Sequence, residues 1–497
     1  MHRLFAAAAV LALPACSTMP QQVALPEADV QITGVTVIDP ETRSVTAARD
    51  VYIDDGRIVE IAPAGSSRRT AERSLAGEGR FLIPGLMDMH AHSSFRPVHI
   101  SSLKLMVANG VTGIREMGSD CVEPGGITMC LGEMREAQAN ILAGEQIGPR
   151  IVELSTAKID SQRPEDASER VAAYRPTTPA EARATVTYFA AEGPDILKVG
   201  DQFEPDAFRA LAGEATARGM KFGGHIPPML SVAEVAAMGM ISIEHARDLP
   251  LDCSTFGAEY RGAILAKIRG EAENWPDRRA MPGKARDTFD QATCDAQIAA
   301  MRDNGTYYVP TLLTREMDYR AGEAAYRDDP RLAYIPAMQA GHWNGDLDRT
   351  ASMPAELVAD LGDFFRLTQR TTGMAHKAGV KIMTGTDAND TMVFPGFSLH
   401  DELRHLVGSG LSEMDVLRAS STVPAEYLGR SAELGGVSVG KLADLVLLRA
   451  DPLADIGNTT QIEAVFVNGR LYDRAALEGL LADVRAWVVQ ANAMTGD

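Results

Sequence analysis

Apolar and polar residues alternate in short runs at both ends of this chain and in longer, helical blocks between them. Near the N-terminus, Val30-Gln31-Ile32-Thr33-Gly34-Val35-Thr36-Val37-Ile38 has the texture of a strand. Residues 50–61, broken at Asp54-Asp55-Gly56, share it. Far downstream, residues 441–448 and a hairpin over 462–472 around Asn468-Gly469 repeat it. The segments 29–84 and 436–475 are therefore expected to pair into one small composite β-sandwich. Between them the pattern changes. Short apolar runs at 87–90, 111–117, 150–155, 196–199, 221–225, 241–245, 307–312 and 381–386 are mostly separated by Ala-, Glu- and Arg-rich stretches such as 179–192 and 205–218. Eight such strand–helix units predict an α/β fold, a (β/α)8 TIM barrel of parallel strands. The barrel region, 85–435, exceeds the ~250 residues usual for that fold by about 100. The excess falls near 250–303 and 315–375, after strands six and seven. Connections there cross the active face, so both insertions are expected to shape the substrate pocket. A helix is expected over 476–497.

Composition narrows the class. Hydrophobic content of 45% with 6% aromatics suits a globular enzyme, and a formal charge of -19 argues against nucleic acid or an anionic membrane as partner. Residues 1–16 read as a signal peptide. Arg3 supplies a positive start, an apolar run follows, and Leu13-Pro14-Ala15-Cys16 resembles a lipoprotein cleavage box, which would make Cys16 a lipidation site. Simple secretion is the alternative, since Pro14 is unusual in that box. Residues 17–28 read as a flexible tether. The expected location is the periplasm, or the membrane through a lipid anchor, of a Gram-negative-type bacterium. In an oxidising compartment the four remaining cysteines, Cys121, Cys130, Cys253 and Cys294, are expected to form disulfides. The short, turn-rich loop favours Cys121 with Cys130, leaving Cys253 with Cys294; four free thiols are expected if the chain is not exported.

The apolar run from Phe81 ends in His90-Ala91-His92. On a strand, residues i and i+2 point the same way, so two imidazoles converge on one point, as a divalent metal requires. Catalytic groups of such barrels sit at strand C-termini. Searching only there finds Lys198 after strand four, His225 after strand five, His245 after strand six and Asp387 after strand eight.

With these residues in order, the chain resembles the amidohydrolase superfamily over nearly all of residues 30–475. The matching pieces are Pro84-Gly85-Leu86-Met87-Asp88-Met89-His90-Ala91-His92, Lys198, His225, His245, Gly385-Thr386-Asp387 and Gly440-Lys441-Leu442-Ala443-Asp444. Within it the chain is similar to dinuclear peptidase-type members, prolidase-like and Xaa-Arg/Lys dipeptidases, with an architecture related to imidazolonepropionase. The resemblance implies His90, His92 and Asp387 on one metal, His225 and His245 on a second, and Lys198 bridging as a carbamate. A lysine near two cations fits that modification, because like charges disfavour its ammonium form. Two zinc ions suit such ligands; manganese, cobalt or iron would also fit. The implied reaction is attack of a metal-bridging hydroxide on the amide of a dipeptide or N-acyl amino acid, with Asp387 moving the proton. A homo-oligomer is expected.

Other residues carry two readings each. Arg115 would bind a substrate carboxylate or pair with a neighbouring acid. Tyr308 would donate to the carbonyl or form a pocket wall. His400 would approach the site or cap a helix. Asp88 would support the ligands or sit in the core. His342 belongs to the second insertion, and His99, His376 and His405 read as surface or structural. The rival functions are an imidazolonepropionase-like cyclic amide hydrolase, a lactonase or organophosphate hydrolase, a deaminase, and a metal-free binding homologue. Deaminases of this superfamily usually place a glutamate three residues after the strand-five histidine, where this chain has Pro228. A binding homologue would have lost ligands.

Overall fold

The computed structural model describes residues 25–118, 120–122 and 124–495; the expected signal, Cys16 and most of the tether lie outside them. In chain order the strands are β1 (Ala28–Asp39), β2 (Ser44–Asp54), β3 (Arg57–Pro63), β4 (Ala71–Ala76), β5 (Phe81–Pro84), β6 (Leu86–Ala91), β7 (Val111–Glu116), β8 (Arg150–Leu154), β9 (Leu197–Val199), β10 (Phe222–Gly224), β11 (Ser242–Glu244), β12 (Tyr307–Val309), β13 (Leu445–Leu448), β14 (Ile462–Val467) and β15 (Arg470–Asp473).

The terminal segments do pair. They form one eight-stranded hydrogen-bonded sheet in the order β15-β14-β13-β5-β1-β2-β3, with β4 beside β1. Antiparallel β5 and β13 join its halves, Ile83 opposite Val446. Ile32, Val35, Val51, Ile58, Leu82, Leu445 and Leu447 pack into its own core, and each fully buried aliphatic there contributes roughly 1.5–3 kcal/mol. Ala28 is already in β1, its N–H donating to Thr70 O, so the tether ends before residue 28.

The apolar run 81–89 is two strands rather than one. Phe81–Pro84 belongs to the sheet, and Leu86–Ala91 opens the parallel region. Gly85 is the joint: a Cβ there would lie 2.0 Å from Thr112 Oγ1 on the neighbouring strand, so any side chain would push β6 away from β7.

β6-β7-β8 and β9-β10-β11-β12 are both parallel sheets. Bridges Ser155–Ile196 and Ile159–Val199 join β8 to β9, and Tyr308–Ile382 and Ala91–Ala388 carry segment 382–388 from β12 to β6. The expected eighth strand, 381–386, is not a regular strand. Its backbone still bonds both neighbours, with Met89 N on Thr384 O and Met383 N on Tyr308 O, but the Asp88 carboxylate also takes the Thr386 N–H and hydroxyl, and Asp387 and Asn389 turn left-handed at φ 65 and 79. Helices cover the strands as their signals predict. Pro179–Glu192 has Thr178 and Glu181 in a reciprocal cap and ends at Gly193 in the left-handed conformation. The C-terminal helix Arg474–Thr495 packs Val484 and Val488 on Leu105.

The first insertion forms helices Thr255–Ile268, Met281–Asp287 and Gln291–Asp303; the second includes Ala337–Ala351 and the long Ala355–Lys377. Disulfides join Cys121 to Cys130 and Cys253 to Cys294.

Candidate metal centre

All six strand-end residues meet at one place. His90 ends β6, and His92 follows on the same side. Gly118 makes room for the His92 ring, since a Cβ there would lie 2.7 Å from its Nδ1. His90 is wholly buried, and its Nδ1 lies 2.8 Å from Glu244 Oε2, the last residue of β11. Glu244 is fixed in turn by buried Arg115, whose Nη2 lies 2.7 and 2.8 Å from its two oxygens, and by Ser242 Oγ at 2.5 Å. With Nδ1–H donated to a carboxylate, His90 Nε2 carries the lone pair. That nitrogen is buried without a hydrogen-bond partner, 3.4 Å from Asp387 Oδ1.

The same Asp387 oxygen lies 2.9 Å from His92 Nε2, and Asp387 Oδ2 lies 3.7 Å from His245 Nδ1. His245 Nε2 and His225 Nε2 face each other at 3.1 Å. Lys198 Nζ lies 3.3 Å from His92 Nε2. His90, His245 and Asp387 each bring one ligand atom within 4.8 Å of the others. Asp201 lies 3.9 Å from His225 Nδ1, an ion-pair rather than a hydrogen-bond distance, and Thr311 Oγ1 is 2.8 Å from His245 Nδ1.

Burial sets the charge states. It pushes the His90 and His225 imidazoles down to about 4 and His245 well below its usual range, so all three are neutral near pH 7. It lowers the Lys198 amine to about 8. Burial alone would raise Asp387, but His90 and His245 hold it well below the ordinary carboxylate range. Neutral imidazole lone pairs converging on one carboxylate, each ring backed by a second polar group, are a donor set that fits divalent cations.

Three expected substrate-binding residues are elsewhere. Arg115 is fully buried, donating to Glu244, Ser242 and, at 2.5 Å, Met89 O; a substrate cannot reach it. Tyr308 is fully buried and faces the helical layer near Thr372, not the cavity. His400 is sealed away, its nitrogens on Thr459 Oγ1 and Asn109 O. Asp88 ties His90 N to Thr386 and is raised to about 7 by burial. His99 is structural, bonded to Ser93 O; His376 and His405 lie near Asp415 and Glu316.

A cavity of about 1010 Å³ opens onto His92, Lys198 and Asp387. The second insertion lines it with Met338, Gln339, His342, Trp343 and Asp346. The first insertion contributes nothing to this wall, against expectation, because its disulfide-tied helices pack on neighbouring helices. Loops after β7 and β8 take its place, including Phe95's neighbour Thr128, disulfide-bonded Cys121, and Lys158. Glu244, Asp201, Gln339 and Asn389 were not singled out from sequence. Only Glu244 had a signal, the position adjoining the ligand His245.

Residues 366–472 match the amidohydrolase family. That stretch holds Asp387 and the Lys441–Asp444 piece, with the histidines and Lys198 outside it. An adenine deaminase of Chelativorans sp. (strain BNC1) is 28% identical over 229 residues, 45% of this chain and 36% of that protein; the match thus spans about a third of this relative's length. A solved Xaa-Pro dipeptidase with bound methionine superposes with a TM-score of 0.63 at 20% identity, covering 89% of this chain and 99% of its own. The bottromycin amidohydrolase superposes at 0.67 with 21% identity, covering 92% and 90%. The α/β fold is shared with these amidohydrolases.

Proposed function

We propose that this amidohydrolase-family chain is an exported, metal-dependent hydrolase that cleaves the amide bond of a small peptide-type substrate. The reading takes the circuit of parallel strands as a closed (β/α)8 barrel carrying two divalent ions, zinc first among the candidates. His90, His92 and Asp387 would hold one ion, and His225 and His245 the other. One observation carries the reading: a buried lysine, Lys198, lies within the ring of histidines, 3.3 Å from His92. With its amine lowered to about 8, a fraction is unprotonated at neutral pH. That free amine attacks the carbon of CO₂ and loses a proton, leaving a carbamate whose two oxygens can serve two ions.

When bound, the ions polarise the scissile carbonyl and make water acidic enough to supply a nucleophile near neutral pH. The protein's own part is positional. Glu244 and Arg115 fix the His90 ring, Thr311 fixes His245, and Asp201 lies beside His225. Asp387, an acceptor at the cavity edge, is placed to take a proton from the attacking water and deliver it to the leaving amine.

Adenine deamination is a second reading, favoured by the name of the curated relative. Pro228 at the glutamate position and Lys198 in the cluster count against it. The test is turnover by the zinc- or manganese-loaded protein on dipeptides, N-acyl amino acids, lactones and adenine. Amide cleavage supports the proposal; release of ammonia from adenine with no amide cleavage overturns it.

A further inference from the structure

Helix Ala337–Ala351 presents Gln339, His342, Trp343 and Asp346 to the cavity at helical spacing i, i+3, i+4 and i+7. Gln339 is 5% exposed, yet its Oε1 has no hydrogen-bond partner. A side-chain relay fixes which way this amide points. Asn389 Nδ2 donates to the backbone oxygen of His92 at 2.9 Å, and that carbonyl can only accept. Asn389 Oδ1 therefore faces the helix and takes Gln339 Nε2–H at 3.1 Å. Gln339 must then offer Oε1 as a bare acceptor, and an unmet buried acceptor is costly.

The two carboxylates beside it differ. Asp346 accepts from Thr391 Oγ1 at 2.6 Å and is ion-paired with Arg349, whereas Asp390, exposed to the cavity, accepts from Thr391 N at 2.8 Å and has no ion pair among the described residues. Lys158, the cavity's cation outside the ligand cluster, already lies 3.8 and 3.9 Å from Asp160 and Asp201. An N–H donor carrying positive charge satisfies both features.

We propose that Gln339 and Asp390 form a subsite for a protonated amino group of the substrate. The inference rests on the amide-hydrolase reading and sharpens it: the substrate is an amide bearing a free amine, not a simple N-acyl amino acid. Through Asn389, the subsite is two hydrogen bonds from the backbone of His92.

The test compares L-alanyl-L-alanine, its N-acetylated form and N-acetyl-L-lysyl-L-alanine with the metal-loaded enzyme. The free dipeptide should exceed its acetylated form in kcat/KM by about tenfold or more, the scale of one charge-assisted hydrogen bond. Recovery with the lysyl compound would place the amine on a side chain rather than the α-position. In Gln339→Met the preference should shrink toward unity through KM, whereas Gln339→Glu, which keeps an acceptor and adds charge, should restore it. A purely structural role would lower kcat on every substrate alike. Equal cleavage of all three amides overturns the subsite and leaves the hydrolase standing; adenine deamination with no amide cleaved overturns both.

Discussion

Two clefts of the molecule are chemical opposites. The larger faces the histidine cluster. The smaller, about 420 Å³, is lined by Asn109, Arg331, His400, Asp401, Arg404 and Arg474. It is as rich in titratable groups, but they satisfy one another. Arg331 binds Asp329 and Asp401, Arg404 binds Asp401, Arg474 binds Glu478, and both His400 nitrogens are bonded. At the larger cleft His90 Nε2 and Gln339 Oε1 are buried and unmet. Charge and burial alone do not mark a site. Unfinished hydrogen bonding beside a cavity is the better mark, because a ligand in the cavity can complete the set and offset its cost.

Perturbing each cleft should break the symmetry of stability and activity. At the large cleft, Lys198→Ala should lower kcat/KM by about 10³ or more, over ~4 kcal/mol of transition-state stabilisation, with the fold intact by circular dichroism. Full metal content and full rate in that variant would refute the bridging role. Glu244→Gln should cost about 3 kcal/mol of stability, because buried Arg115 loses its counter-charge. It should also weaken metal binding about 10–100-fold, measured by chelator competition. At the small cleft, His400→Ala should leave Asn109 O unmet and cost about 2 kcal/mol in denaturant unfolding. Its kcat/KM should stay within about twofold of the parent.

The smallest effect is a pH dependence. Burial raises the Glu402 carboxyl from 4.5 to about 7. Between those values the folded state holds a proton that the unfolded state has lost, so stability falls as pH rises from 4.5 to 7 and is flat above. Glu402→Gln should therefore be more stable than the parent at pH 8 and equal to it at pH 4, read from chemical denaturation at each pH. An equal gain at both would deny the titration.

The strand-end cluster was legible because strand periodicity is a local rule. His90-Ala91-His92 needs only period two, and Lys198, His225 and His245 each follow a short apolar run. What supports them was not. The Arg115–Glu244–His90 chain joins β7, β11 and β6, and no local pattern records a contact between residues so far apart in sequence. For the same reason Arg115 carried a substrate reading beside an ion-pair one, and Glu244 was not among the acids expected to pair with it. The pocket wall was half legible: the second insertion lines it, but the first does not, since length alone does not say where a helical excursion packs. The joint within the run 81–89 left no such pattern, because it is a steric matter between Gly85 and Thr112 on a neighbouring strand.

That joint has a bearing on how the protein is made. β5 leads directly into the strand carrying His90; one of its edges pairs with β1, and the other finds its partner only in β13, with Pro84 opposite Leu445. A chain emerging from N- to C-terminus exposes one edge of β5 until nearly all of it has been synthesised. The first ligand strand thus hangs from an edge that closes last. Premature termination anywhere before residue 445 should give an aggregation-prone product rather than a partly active one, so the sheet acts as a proof of completion for the centre beside it.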